Sequence, residues 1–139
     1  MATDTPQQAL NELIEEFSFF DNWMDRYQYI IDLGKQLPDM PDEWKTAEYR
    51  IEGCQSNVWI HSELQGDRLH FSAMSDAAIV SGLIAVVMRI YNDRTASDIL
   101  NMAKDAFDQL GLSQHLSPTR NNGLHAMLGH IYWTAARGA

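Results

Sequence analysis

Cysteine is nearly absent from this sequence: Cys54 is the single thiol among 139 residues. One cysteine excludes an internal disulfide and a CxxC pair. Any thiol chemistry at Cys54 therefore involves a second molecule. The absence of a disulfide framework is typical of proteins kept in a reducing compartment, and we expect a cytoplasmic protein.

Basic residues and long apolar runs are also scarce. The 10 Lys and Arg stand against 19 Asp and Glu, a formal net charge of −9. Nucleic-acid binding depends largely on Lys and Arg that displace counterions, so the charge argues against it. The longest apolar stretch, residues 77–88, is interrupted by Ser81 and Gly82. The sequence thus predicts neither a membrane span nor a signal peptide.

The residues that are abundant predict one globular domain over residues 1–139. Apolar residues make up 45% of the chain and charged residues 21%, which is typical of a soluble protein with one core. A nearly all-apolar segment predicts a buried helix through Ile90, with Ser75 and Asp76 as its N-cap. Other helical segments are predicted over residues 7–17, 23–36, 95–102, 105–110 and 118–137.

The apolar period changes from that of a helix to that of a strand between residues 50 and 75. The first strand has an apolar face that ends at Leu64, and Gly66 lets the chain turn into a second strand. Residues 49–52 are a weaker candidate for a third strand. Because the strands are clustered and not alternated with helices, the sequence predicts an α+β fold with a small antiparallel sheet and helices on one face.

Cys54 lies in a short polar segment that begins at Gly53, between two candidate strands. Gly53 permits backbone angles closed to other residues, so the loop can present or hide the thiol. An inert, buried cysteine that fills space is an equally supported interpretation. A thiolate at neutral pH requires a nearby cation, for which Arg50, His61 and Arg120 are the candidates.

Three further residues have both a structural and a functional interpretation. Trp59 lies on the polar face of the hairpin, where it is either covered by a helix or part of a partner surface. Asp76 is either a helix cap or a charged neighbour of the Cys54 loop. Arg120 either ties a loop to the body of the protein or binds a partner's carboxylate.

The five histidines do not predict a metal site. His125 and His130 are five residues apart, which on a helix places them about 140° apart around the axis. His61, Glu63 and His70 share the outward face of the hairpin, a pattern typical of a solvated sheet face. A Cys/His site also needs more than one thiol. We therefore assign neither a metal nor a cofactor.

Four segments together resemble one known family. They are residues 23–38, whose helix opens the family's pattern, 53–59 (GCQSNVW), 75–83 (SDAAIVSGL) and 114–124 (QHLSPTRNNGL). In this order they are similar to the SufE family of sulfur acceptors in iron–sulfur cluster assembly. The resemblance implies a fold like that of the iron–sulfur scaffold proteins, with a three-stranded antiparallel sheet backed by helices.

The resemblance also implies a role. In the family, a loop cysteine takes the outer sulfur of a persulfide on a pyridoxal-phosphate-dependent cysteine desulfurase of the SufS type, and Cys54 matches that position. The acceptor stimulates the desulfurase, is not an enzyme on its own, and passes the sulfur to a SufBCD-type scaffold. One cysteine is too few to hold a cluster, so this chain is expected to carry sulfur and not iron.

Other residues inherit a role from the resemblance less directly than Cys54 does. Partner binding or support of the loop is implied for Gly53, Gln55, Ser56, Asn57, Trp59, Asp76 and Arg120. The pair Gln55-Ser56 after the cysteine favours SufE proper over the related CsdE group, which serves a paralogous desulfurase.

Two alternative functions stay open at this point. One is a thiol hydrolase with Cys54 as nucleophile and His61 or His70 as base, which would turn over a small ester or amide alone. The other is an adaptor in which Cys54 is inert, so that Cys54→Ser would leave a partner's rate unchanged. The sequence does not distinguish a monomer from a homodimer, nor does it identify the final sulfur acceptor.

Overall fold

The computed structural model of the protein describes residues 5–54, 56–102 and 106–137. In this part of the chain the helices are α1 (Pro6–Ser18), α2 (Trp23–Gly34), α3 (Ala78–Tyr91), α4 (Ala96–Asn101) and α5 (Pro118–Arg137). The strands are β1 (Val58–Gln65), β2 (Arg68–Ser75) and β3 (Arg94–Thr95). Short 3-10 turns occupy Asp42–Trp44, Ala106–Leu110 and Leu112–Gln114.

The three strands form one antiparallel sheet in the order β1-β2-β3. The β1–β2 hairpin turns at Gly66, whose φ of 67° suits glycine, as the sequence predicts. The third strand is β3, which pairs with the start of β2. Residues 49–52, the predicted third strand, instead make one isolated bridge, Arg50 to Trp59, along the opposite edge of β1. The α+β class and the three-stranded sheet are confirmed, and the predicted position of the third strand is wrong.

One face of the hairpin packs into the core. Val58, Ile60 and Phe71 are at most 3% exposed. Leu64, predicted on the same face, is 51% exposed. Every residue from 63 to 68 is exposed, because these residues form the tip of the hairpin, which lies outside the core.

Helix α3 is buried over most of its length and packs closely against α2. The two backbones meet at Gly82, where an added Cβ would lie 2.3 Å from the carbonyl oxygen of Ile30. A Cβ at Gly34 would likewise lie 2.5 Å from the backbone nitrogen of Gly82. Since no side chain fits between these backbones, both glycines are required for the contact.

The start of α3 differs from the prediction. Its N-cap is Ala77, which makes no side-chain capping hydrogen bond. The carboxylate of Asp76 accepts hydrogen bonds from Asn57 instead, and the Oγ of Ser75 accepts one from the Ala77 N–H at 3.2 Å. The predicted Ser75–Asp76 cap is therefore wrong, because a cross-strand partner binds the carboxylate.

The last helix, α5, begins and ends at the predicted residues. The Oγ of Ser117 accepts a hydrogen bond from the Arg120 N–H at 3.2 Å, which satisfies one donor of the first turn. Although α5 has 20 residues, none of the described helices has the length and apolar content to cross a bilayer. Its buried face packs on α3 and α4 and places its first turns beside the loop that precedes β1.

Candidate functional site

Cys54 lies in the loop before β1, half-buried against α5. Its Sγ is 3.6 Å from the carbonyl oxygen of Gly123. A Cβ added at Gly123 would lie 3.6 Å from the same sulfur, so the lack of a side chain there lets the loop approach the helix. Gly53 has a φ of 89°, a conformation that turns the chain just before the cysteine.

A cavity of about 100 Å³ opens beside the thiol. Its apolar walls come from α3 and α5, through Val80, Leu83, Leu124 and Met127. Polar groups at its border include Ser56 and Arg120. One water molecule needs only about 15 Å³ of such space, so the cavity has room for an atom added to the sulfur of Cys54.

Two opposing effects act on the thiol. Burial raises the pKa of Cys54 above its ordinary value, and the positive charge of Arg50 opposes this rise only in part. Of the three predicted cations, Arg50 is thus the one whose charge acts on the thiol, while Arg120 borders the cavity. The resting thiol is therefore protonated at neutral pH.

Asn57, at the end of the Cys54 loop, is hydrogen-bonded to Arg50 and to Asp76. Its Oδ1 accepts a hydrogen bond from Nε of Arg50 at 2.9 Å, and its Nδ2 donates to Oδ2 of Asp76 at 2.9 Å. Its backbone N–H donates to Oδ1 of the same aspartate at 3.2 Å. These bonds close the open end of the hairpin and hold Arg50 near the thiol.

The side chain of Arg120 lies at the border of two cavities. It lines the cavity of Cys54 and a neighbouring cleft that includes Tyr27 and His115. Within the described part of the chain, its guanidinium has no hydrogen bond or ion pair, and the residue is exposed. The predicted tie between loop and body is therefore not made by this side chain, and its charge is available to a partner.

Trp59 lies on the sheet face opposite to the buried side chains of β1 and is half-buried. On the same face, Trp44 stacks on His61 with ring centroids 3.7 Å apart and planes 3° apart. A short 3-10 turn, and not one of the long helices, thus packs on the ring of His61 beside Trp59.

The histidines proposed as catalytic bases lie elsewhere. None is found among the described residues that line the cavity of Cys54. The ring of His61 is stacked on Trp44, and Nδ1 of His70 lies 2.7 Å from Oδ1 of Asp93. A general base must reach hydrogen-bond distance of the proton it removes, so this arrangement does not support the thiol hydrolase.

The structure brings together most of the residues singled out from the sequence, as a group around the cavity or bonded to the loop: Gly53, Cys54, Ser56, Asn57, Asp76 and Arg120. Trp59 lies on the other sheet face, and Gln55 lies outside the described residues. Within the part of the chain that the structure describes, no three His, Cys, Asp or Glu side chains are grouped to hold a metal ion. The apolar walls and Gly123 are absent from the sequence-based prediction, because their sequence pattern indicates only a buried helix face.

Comparison with known protein families identifies the family of this chain. The family described as "SufE: Fe-S metabolism associated domain" matches residues 11–135. The chain belongs to the SufE family. This membership confirms the predicted resemblance and associates the protein with iron–sulfur metabolism.

Relatives of this SufE-family protein match over most of their length. A SufE-like protein of Rhizobium meliloti (strain 1021) is 44% identical over 128 residues, covering 88% of this chain and 91% of that protein. A SufE-like protein of Rhizobium etli is 41% identical over 128 residues, covering 88% of this chain and 86% of that protein. Both are described as uncharacterized.

A solved structure shows the same fold. The solution structure of a hypothetical protein from Thermus thermophilus superposes with a TM-score of 0.77, covering 94% of this chain and 95% of that one. At 17% sequence identity, the likeness concerns the fold alone. It agrees with the three-stranded α+β architecture of this SufE-family chain.

Proposed function

We propose that Cys54 of this SufE-family protein accepts sulfur from the persulfide of a SufS-type cysteine desulfurase and delivers it to a SufBCD-type cluster scaffold. The observation that carries the proposal is the lone thiol beside a cavity with room for one further sulfur atom. Membership of a family associated with iron–sulfur metabolism supports the substrate class.

The transfer step is a displacement at sulfur. The thiolate of Cys54 attacks the outer sulfur of the donor persulfide and forms a new S–S bond with it. The donor's own S–S bond breaks, and its electron pair leaves on the donor cysteine as a thiolate. Cys54 thereby gains the outer sulfur together with its hydrogen, as Cys54–S–SH, and no external oxidant or reductant is needed.

A lone thiol suits such cargo. A second cysteine nearby would attack the persulfide and release sulfide as an internal disulfide formed. The sequence has no second cysteine, so the persulfide is lost only to another molecule. The apolar walls of the cavity, contributed by Val80 and Leu83 among others, shelter the added sulfur from such molecules.

Because the resting thiol is protonated, docking of the partner has to promote formation of the thiolate. Attack requires a thiolate, while burial raises the pKa of Cys54. We infer that docking moves the loop so that the thiol leaves its buried position, with Gly53 on one side of the cysteine and Asn57 on the other as the limits of the movement. Stimulation of the desulfurase follows, because the acceptor removes sulfur from its persulfide.

The net charge of −9 bears on docking. An acidic acceptor associates faster with a basic docking face, and salt weakens this steering.

The proposed location is the cytoplasm, and the protein needs no cofactor of its own, since the pyridoxal phosphate belongs to the desulfurase. Gln55-Ser56 favours a SufS-type partner over the paralogous desulfurase of the CsdE group.

A desulfurase assay tests the proposal. A SufS-type enzyme is given free cysteine and a thiol reductant, and alanine and sulfide are measured with and without this protein. Wild type is expected to raise the rate, and Cys54→Ser is expected not to. Equal stimulation by both proteins would establish the adaptor with an inert thiol. Turnover of a small ester by the protein alone would favour the hydrolase.

A further inference from the structure

Arg120 lies between two spaces on the surface of the protein. It lines both the cavity of Cys54, about 100 Å³, and the neighbouring cleft, about 290 Å³. The far wall of the cleft is held in place, because the ring of His115 stacks on Trp23 with centroids 3.8 Å apart and the Tyr27 hydroxyl donates to the His115 carbonyl. Since Arg120 and the thiol line the same small cavity, a ligand on the guanidinium reaches the sulfur with few atoms.

The guanidinium of Arg120 is the permanent charge of this place. Among the described residues that line the cavity and the cleft, none carries a carboxylate, and Arg120 is the one Lys or Arg. Asp76 and Glu52 lie outside both linings, and the charge that shifts the pKa of the thiol is the positive one of Arg50. An anion is therefore the ligand that the electrostatics favour.

The donors present favour a carboxylate over a phosphate. Phosphate sites at the start of a helix use several backbone N–H groups. In α5, Pro118 has no N–H, and the N–H of Arg120 already donates to Oγ of Ser117 at 3.2 Å. What remains is the exposed side chain of Arg120, whose fork of N–H donors matches the two oxygens of a carboxylate.

The rest of the cavity favours an apolar or sulfur-bearing group. Leu83, Leu124 and Met127 form walls beside Cys54, and such walls do not replace the hydrogen bonds of a polar group. The ligand class that fits the cavity is thus a small molecule with a carboxylate at one end and a sulfur at the other.

We propose that Arg120 binds the carboxylate of a small thiol, which then removes the sulfur carried by Cys54. This second activity rests on the proposed function, because it begins from the Cys54 persulfide. The small thiolate attacks the outer sulfur and forms an S–S bond with it, and the bond between the two sulfurs on Cys54 breaks. The electron pair of that bond leaves on Cys54 as a thiolate, and the small molecule departs as a persulfide. The exchange consumes no oxidant or reductant.

Selectivity follows from the same arrangement. A thiol without a carboxylate gains nothing from Arg120, so the apolar walls continue to protect the persulfide from it. A carboxylate-bearing thiol is held beside the sulfur, which raises its local concentration. The protein is thereby expected to release sulfur to one class of small thiol while it is protected from others.

Alkylation of Cys54 tests the binding step without a persulfide. Iodoacetate carries a carboxylate, and iodoacetamide is its neutral counterpart. Each rate is divided by the rate of the same reagent with free cysteine, which removes the difference in intrinsic reactivity. In wild type we expect iodoacetate to be favoured about tenfold. Equal relative rates of the two reagents would overturn the proposal.

Variants assign the preference to Arg120. Arg120→Gln is expected to abolish it, and Arg120→Lys to keep part of it, because lysine retains the charge but not the fork. Arg137→Gln is the matched control: it removes the same charge from the same helix, about 25 Å further along the axis. Retention of the preference in Arg120→Gln, or its loss in Arg137→Gln, would contradict a carboxylate site at Arg120.

The transfer step is tested on a persulfide made chemically with inorganic polysulfide, so that no desulfurase is needed. Mercaptoacetate and its neutral counterpart mercaptoethanol are added, and intact mass spectrometry follows the loss of about 32 Da from the protein. After each rate is divided by that of the same thiol with a small-molecule persulfide, wild type is expected to favour mercaptoacetate about tenfold, and Arg120→Gln is not.

The outcomes separate this activity from the proposed function. Equal relative rates for the two thiols, or a mixed disulfide between Cys54 and the small thiol with release of sulfide, would contradict the transfer step. A protein that shows the preference but takes no sulfur from a SufS-type desulfurase would contradict the proposed function and leave the site at Arg120 supported.

Discussion

The sulfur of Cys54 lies 3.6 Å from the carbonyl oxygen of Gly123, within the second turn of α5. The thiol thus rests on a helix at a residue without a side chain, beside a cavity of about 100 Å³. The burial of the thiol, and with it the pKa and reactivity of Cys54, therefore depends on what fills the space between the sulfur and Gly123.

A larger side chain at Gly123 is expected to expel the thiol. Gly123→Leu fills the space next to Sγ, so Cys54 becomes more exposed, its pKa falls toward the ordinary value, and alkylation by iodoacetamide speeds up. The measurement is the alkylation rate at neutral pH. Gly129→Leu is the control, because it changes the same helix where a side chain meets nothing. An unchanged rate in Gly123→Leu would show that the cavity does not restrain the thiol.

Arg50 provides a second, electrostatic test. Its charge partly offsets the effect of burial, so Arg50→Gln is expected to raise the pKa of Cys54 further and slow alkylation at neutral pH. Asn57→Ala is the companion variant: it keeps the charge of Arg50 and breaks only the hydrogen bond that holds this side chain near the thiol, so a smaller decrease of the alkylation rate is expected. Faster alkylation in Arg50→Gln would mean that loss of that bond to the loop outweighs the charge.

The same pKa shift makes stability depend on pH. Since burial raises the pKa of Cys54 in the folded protein, its contribution is fully present below the unfolded pKa and is lost as pH rises through the folded one. Urea unfolding between about pH 7 and pH 10 is expected to show wild type losing stability relative to Cys54→Ser. The same pH dependence of the free energy of unfolding in wild type and Cys54→Ser would contradict a raised pKa of Cys54.

The bond between Asn57 and Asp76 is expected to stabilise the hairpin end beside the thiol. Asp76→Ala removes two acceptors and is expected to lower the free energy of unfolding by about 1–3 kcal/mol. Asp67→Ala, at the exposed opposite end of the hairpin, is expected to change it by less than about 0.5 kcal/mol. Equal effects of Asp76→Ala and Asp67→Ala on the free energy of unfolding, measured in urea, would contradict this role of the Asn57–Asp76 bond.

The contact between α2 and α3 depends on the glycine at position 82. Gly82→Ala places a Cβ 2.3 Å from the carbonyl oxygen of Ile30, and we expect a loss of at least about 2 kcal/mol in the free energy of unfolding. Gly129→Ala is expected to raise stability by up to about 1 kcal/mol, because alanine favours helix. Thermal unfolding of both variants measures the difference. Wild-type stability of Gly82→Ala would show that the helices can separate without cost.

Periodicity in the sequence predicts the elements that local patterns can encode. The hairpin, its turn at Gly66 and the limits of α5 follow from such patterns, and all three are observed. β3 has two residues, too few to show a period, so the sequence does not predict it. The third strand is predicted instead at residues 49–52, which lie just before β1 and make only an isolated bridge to it. The core position predicted for Leu64 is wrong because alternation gives the face of a strand but not the point where the core ends.

The candidate site is predicted only in part, for a related reason. Cys54 stands out as the lone thiol in a loop, but the walls of its cavity come from two helices distant in sequence. Asp76 has the sequence context of a helix cap, and only the hairpin register shows that Asn57 lies opposite and binds it. Contacts of this kind depend on tertiary structure, which a local pattern does not contain.

Intact mass spectrometry tests the central claim most directly. The protein is incubated with a SufS-type desulfurase and free cysteine, without reductant, and wild type is compared with Cys54→Ser. We expect a gain of about 32 Da per sulfur on wild type alone, reversed by a thiol reductant. An unmodified wild type beside a demonstrably active desulfurase, or equal sulfur on the Cys54→Ser protein, would contradict Cys54 as the sulfur carrier.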